Sequence, residues 1–176
     1  MRALSLAEAL KIIEGTLAAA KEHQCHALAT IVLDAGGRIK AFQKQDGASL
    51  MRFEIAYGKA FAALSLGRSS RMVLQKAKEK PLFVQSLERI SDGPLFLEAG
   101  GQLIRDGHGE IIGAIGVTGD VNEMDDICAI AGIGSAGLRA DDHFGEKDRQ
   151  RLNIKRNPTL KDPRKKQRSA GNKKRG

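Results

Sequence analysis

Scarcity is the first clue in this sequence: two cysteines, one tyrosine and no tryptophan in 176 residues. Cys25 and Cys128 form no CxxC pair or other metal-binding spacing, and a domain of this length needs no staple to bury a core. They read as two free buried thiols, with a reducing compartment as the default. No run approaches the roughly 18 apolar residues of a membrane span. The opening MRALSLAEALKIIEG is interrupted by Glu8, Lys11 and Glu14, so it lacks the apolar core of a signal peptide, and a cytoplasmic protein is expected. Catalytic signatures are missing too: no G-x-S-x-G elbow, Walker loop or HExxH helix is present. The glycine-rich turns fall within hairpins, where a dinucleotide fingerprint would need a strand followed by a crossover helix.

Charge is plentiful but unevenly placed. From Lys147 onward thirteen Lys and Arg face two Asp, a net of +11, whereas residues 1–146 carry sixteen against nineteen, a net of −3. The segment 147–176 is too poor in apolar residues to offset the entropy of ordering, and disorder is expected from about Asn153. Such a tail suits nucleic acid or another polyanion through counterion release, or a basic targeting signal. No aromatic residue interleaves its charges to stack on bases, which favours a solvated extension instead. The expected division is therefore one domain over 1–146 and a basic tail over 147–176.

Within the domain, periodicity predicts the elements. Ser5 and Glu8 form an S-x-x-E capping box before apolar positions at helical spacing as far as about Lys21. His26 to Asp34 and Ile39 to Lys44 read as a hairpin across Ala35-Gly36-Gly37-Arg38. Ser49 is expected to cap a helix running to about Leu66, and Ser70 to Lys80 reads as another, stopped by Pro81. Leu82 to Ile90 adds a turn or two, followed by strands at Leu95–Glu98, Gly101–Arg105 and Glu110–Thr118 and a closing helix from Glu123 to Arg139. These make an α+β domain with a five-stranded antiparallel sheet. Gly132, Gly134 and Gly137 in the closing helix imply close helix packing, including packing between subunits.

The stretch EIIGAIGVTGDVNEMDDICAIAGIGSAGLRA, from Glu110 to Ala140, delivers a strand, a tight glycine turn and a helix N-terminus in succession. Gly116 and Gly119 permit close backbone approach, Thr118 offers a hydroxyl, and amides open the helix, as in a small-ligand pocket. Glu123, Asp125 and Asp126 suit the helix macrodipole, or a weak divalent-cation cluster.

With two further segments this stretch resembles the GlcG/HbpS family of haem-binding and haem-degrading-type proteins, which includes the C-terminal domain of PduO. The segments are TIVLDAGGRIKAFQKQDGASLMRFEIAYGKAFAALSL, Thr30 to Leu66, and AGGQLIRDGHGEIIGAIGVT, Ala99 to Thr118. The resemblance covers about residues 5 to 140. It implies a profilin-like three-layer α/β/α arrangement and a homo-oligomer. It also implies haem or a related tetrapyrrole as ligand in a sensor or carrier role, more readily than enzymatic activity. An alternative is a role in small organic acid catabolism of the glycolate type.

A haem needs an apolar slot, axial ligands and basic partners for its propionates. His23, Cys25 and His26 cluster at the first helix-to-strand corner, where the resemblance implies histidine ligation, and His23 is the preferred iron ligand, with His26 second. Lys59 in the GKA segment is the expected counter-charge for a ligand carboxylate; otherwise it pairs with Asp34 or Asp46. The ligand is expected between the hairpin Gly101–Thr118 and the Lys59 helix, with Gly116, Thr118, Gly119 and Asp120 around it. Asp120 replaces the second Gly of the commoner VSGG turn and adds an anion there.

Overall fold

The computed structural model describes residues 2–141. The expected division at 146/147 and the basic tail lie outside the described residues. Five helices and five strands follow in the order α1 (Leu6–Glu22), β1 (Ala29–Asp34), β2 (Ile39–Lys44), α2 (Arg52–Leu66), α3 (Ser70–Glu79), α4 (Pro81–Ile90), β3 (Gly101–Arg105), β4 (Ile111–Thr118), α5 (Asn122–Ser135) and β5 (Arg139–Ala140). The strands form one antiparallel sheet in the order β2-β1-β4-β3-β5. No described helix is long and apolar enough to cross a membrane.

The start of α1 follows directly from its first residues. The Glu8 N–H donates to the Ser5 hydroxyl at 3.2 Å and the Ser5 N–H donates to the Glu8 carboxylate at 2.9 Å, satisfying two helix-end donors at once. The helix ends in a Schellman turn: the Cys25 N–H reaches the Ala20 carbonyl and the Gln24 N–H the Lys21 carbonyl. Gln24 occupies the left-handed position with φ 55°, the single described non-glycine residue at positive φ.

Sheet alternation sorts the core into two layers. On one face Leu28, Val32, Ile104, Ile112, Ile115 and Val117 pack under α1 and α5. On the other, Ile31, Leu33, Leu103 and Ala114 meet Ala56, Ala60 and Ala63 of α2. The described residues thus form the three-layer α/β/α sandwich expected. Small residues set the spacing between layers. A Cβ on Gly116 would strike the Ala56 carbonyl and one on Gly101 the Lys59 carbonyl, so α2 lies directly on the β3–β4 backbone.

Several expected elements are corrected. Leu95–Glu98 is no strand; it lies along α2, with the Phe96 N–H donating to the Gly58 carbonyl at 3.2 Å. The fifth strand is instead Arg139–Ala140, paired with β3 at the sheet edge. It exists because α5 stops at Ser135, where Gly137 at φ 72° permits a second Schellman turn ahead of Arg139. Ser49 does not cap α2: the cap position is Met51, and no side chain bonds the helix end. Gly132 packs within the chain, facing Thr16 and Ile12 of α1, while Gly134 meets nothing nearby. Helix α4 buries only Val84 and exposes Leu82, Phe83 and Ile90.

Candidate functional site

The turn from β4 into α5 is where the sequence placed a ligand, and the structure divides it into a buried ionic cluster and an exposed histidine corner. Lys59 belongs to the cluster. Its ammonium, 2% exposed as a residue, donates to Asp125 Oδ2 at 2.8 Å and to the Val117 carbonyl at 3.0 Å. The partner is neither Asp34 nor Asp46 but Asp125, so the Lys59 charge is already met within the chain. Burial pushes the Asp125 carboxyl above its ordinary range, and Lys59 offsets only part of that rise.

Its neighbour Asp126 is equally committed. One oxygen accepts from the Gly100 N–H at 2.7 Å and Gln102 Nε2 at 3.0 Å, and the other from Arg71 Nε at 2.6 Å. Glu123 lies 3.9 Å from Arg71. The acidic opening of α5 therefore anchors the helix to β3 and α3, and among the described residues no three or more His, Cys, Asp or Glu side chains are grouped to hold a metal ion. Thr118 is buried as well, its hydroxyl accepting from Arg52 Nη1 at 2.9 Å. Gly116 is covered by α2.

Gly119 and Asp120 face the other way. Gly119 has φ 150°, and a Cβ there would meet the Ala27 carbonyl and Leu28, so glycine lets the end of β4 press onto the segment before β1. That contact brings Asp120 to His26, 94 positions away in sequence. Asp120 Oδ2 accepts from the His26 backbone N–H at 2.7 Å and lies 3.0 Å from His26 Nδ1. Burial opposes the Asp120 charge, yet the bonds from the His26 and Val121 N–H groups and the His26 ring outweigh it and hold its pKa below the ordinary value. The imidazole is otherwise in solvent, with the side chain 87% exposed.

This is a ring oriented through Nδ1 with Nε2 turned outward, the arrangement in which a carboxylate fixes the tautomer of a metal-ligating histidine. The corner's chemistry therefore suits an axial iron ligand. His23, the preferred candidate, caps the C-terminus of α1 and has no side-chain partner among the described residues. Cys25, between the two histidines, lies 3.9 Å from Cys128 of α5, sulfur to sulfur. Burial raises the pKa of both thiols, which points to the protonated forms near neutrality. At the same end of the sheet, Leu17, Gln43, Lys44, Gln45 and Asp46 line an open hollow of about 500 Å³. One of its residues, Gln45, accepts from the N–H of Leu28, two residues after His26, at 2.7 Å.

Sequence reasoning missed Arg52 and Arg71 as partners of Thr118 and Asp126. No local pattern marks them, because their partners lie 66 and 55 positions away in sequence.

The described residues form a small α+β domain of three layers with a surface histidine held by a carboxylate. Residues 4–134 match the profile of a family described as haem degrading protein HbpS-like. The chain belongs to this HbpS-like family. Among solved structures, the PduOC:heme complex is 21% identical with a TM-score of 0.70, over 80% of this chain and all of that one. HbpS is 28% identical with a TM-score of 0.66, over 76% of this chain and 90% of that one. Klebsiella pneumoniae protein ORFY is 24% identical with a TM-score of 0.68, over 78% and 92%. No curated protein sequence is significantly similar to the chain.

Proposed function

We propose that this protein binds haem or a closely related tetrapyrrole, in a sensor or carrier role, with His26 Nε2 as the iron ligand. The observation that carries the reading is the His26–Asp120 pair: a solvent-facing imidazole whose second nitrogen sits 3.0 Å from a carboxylate. Neighbouring groups support it. Lys44, in the open hollow of about 500 Å³, supplies a positive charge of the kind propionates require, and Leu17 supplies apolar surface. Asp46 and Asp120 carry the opposite sign, which favours a porphyrin seated with its propionates directed away from them.

When bound, the haem would supply iron-centred ligand binding or redox chemistry. The chain's own part is narrower. Asp120 holds Nδ1 protonated and fixes the plane of the ring, and Gly119 makes that approach possible. The exposed apolar face of α4, with Leu82 at 76% and Ile90 at 81% exposure, supports assembly into a homo-oligomer. Such assembly would bury more of the apolar surface that a single domain leaves open.

Titration of the full chain with haemin tests the reading. A saturable Soret band is expected, abolished or displaced in His26→Ala and retained in His23→Ala. Asp120→Asn should weaken binding by about 10- to 100-fold, the usual cost of removing the group that orients a metal-bound histidine. An unchanged spectrum and affinity in folded His26→Ala would move the ligand elsewhere. No saturable binding by the wild-type chain would remove haem and return the organic acid alternative.

A further inference from the structure

The two cysteines, expected as free buried thiols, are both free, Cys25 only part-buried, and the fold brings them together. Cys25 lies in the irregular segment between α1 and β1 and Cys128 in the middle of α5, with their sulfurs 3.9 Å apart. We propose that Cys25 and Cys128 are a dithiol that closes to an intramolecular disulfide by exchange with a small-molecule disulfide, and that closure disturbs the His26–Asp120 corner. The effect on haem rests on the reading of His26 given above; the disulfide itself does not.

Access and mobility differ between the partners in the way such an exchange needs. Cys25 is part-exposed, whereas Cys128 is fully buried, so an external disulfide meets Cys25 first. The Cys25 sulfur attacks one sulfur of the reagent, forming a mixed disulfide and expelling one thiol, which carries off the Cys25 proton. The Cys128 sulfur then attacks the Cys25 sulfur, forming the intramolecular bond and expelling the second thiol with the Cys128 proton. Two protein thiols are oxidised and one external disulfide is reduced to two thiols. The chain has no third cysteine to divert the intermediate.

Closure has a structural consequence. A disulfide bond is about 2 Å long, so the sulfurs must approach by roughly 2 Å. Cys128 is held within α5, whereas Cys25 follows Gln24, whose backbone already sits at φ 55°, outside regular structure. The Cys25 side therefore gives way. His26 is the next residue, and its N–H and ring both bond Asp120, so the pull is felt first in those two hydrogen bonds.

The test places the full chain in buffers of reduced and oxidised glutathione and measures thiols, intact mass and the His26 imidazole resonances. Under oxidising conditions both thiols should disappear together, with loss of two hydrogens and neither a glutathione adduct nor a covalent dimer. Cys128→Ser should instead stop at a glutathione adduct on Cys25, and the His26 resonances should shift only in the closed wild-type form. Persistence of both thiols, or adducts and dimers alone, would overturn the pair. A closed disulfide with unmoved His26 resonances would overturn its coupling to the corner. Haemin should bind the oxidised form at least tenfold more weakly than the reduced form. Absence of a Soret band from both forms would refute the haem reading while leaving the thiol result to decide the pair.

Discussion

Replacing Lys59 with methionine separates a structural charge from a ligand-binding one. The ammonium donates to Asp125 at 2.8 Å and to the Val117 carbonyl at 3.0 Å, and the Asp125 side chain is 1% exposed. Methionine is close in length and keeps the apolar contacts, but leaves a buried carboxylate whose remaining partner is the Asp120 N–H. Breaking one half of a buried pair costs about 3–5 kcal/mol, because the surviving charge loses its compensation without regaining water. For a domain of this size that is a fall of about 6–20 °C in Tm. Removing both charges in Lys59→Met/Asp125→Leu should recover much of the loss, since an apolar pair of similar volume is often tolerated.

The pH dependence gives a further check on sign. Burial already raises the Asp125 carboxyl, and without Lys59 it rises further, so the native state holds a proton that the unfolded chain has released. Stability of the single variant therefore falls as pH rises, and its deficit shrinks as pH is lowered towards about 4, the ordinary carboxylate value. Urea denaturation followed by circular dichroism at several pH values measures this, alongside haemin titration of the folded variant. A loss below about 1 kcal/mol would contradict the buried-pair account. So would a tenfold fall in haemin affinity with stability intact, which would show Lys59 facing a ligand.

Two local features of α1 yield further tests. Gln24→Gly should stabilise the domain by about 0.5–1 kcal/mol, since a left-handed side-chain residue costs roughly 1–2 kcal/mol and glycine's extra unfolded-state entropy returns part of the gain. A lower Tm would show that the Gln24 side chain makes a contribution its exposed position hides. Glu8→Ala should cost about 1 kcal/mol at neutral pH through loss of the capping box. Bonds from Arg2 and the Ser5 N–H hold the Glu8 carboxyl down to about 2. Its contribution is thus complete above the unfolded value and lost as pH falls towards 2, so the stabilities of wild type and variant should converge there. A gap independent of pH would assign the effect to helix propensity alone.

The amino-acid sequence by itself determined the local elements and the layer they occupy. Ser5 and Glu8 start α1 because capping needs only residues three apart, and the period-two and period-3.6 apolar patterns set which face of each strand or helix is buried. The order of the GKA helix, the hairpins and the TGD turn was enough to indicate the family. Tertiary structure decided the rest. A two-residue strand such as Arg139–Ala140 has no periodicity of its own and forms only because β3 offers an open edge. Leu95–Glu98 has the composition of a strand, yet it lies against Gly58 of α2. The partners of Lys59, His26 and Cys25 lie 66, 94 and 103 positions away. They are chosen by the placement of α2 on β4, of β1 beside β4 and of α1 against α5. Charge and thiol chemistry allow many pairings in a linear chain, and only the closure of these long loops brings one of them within bonding distance.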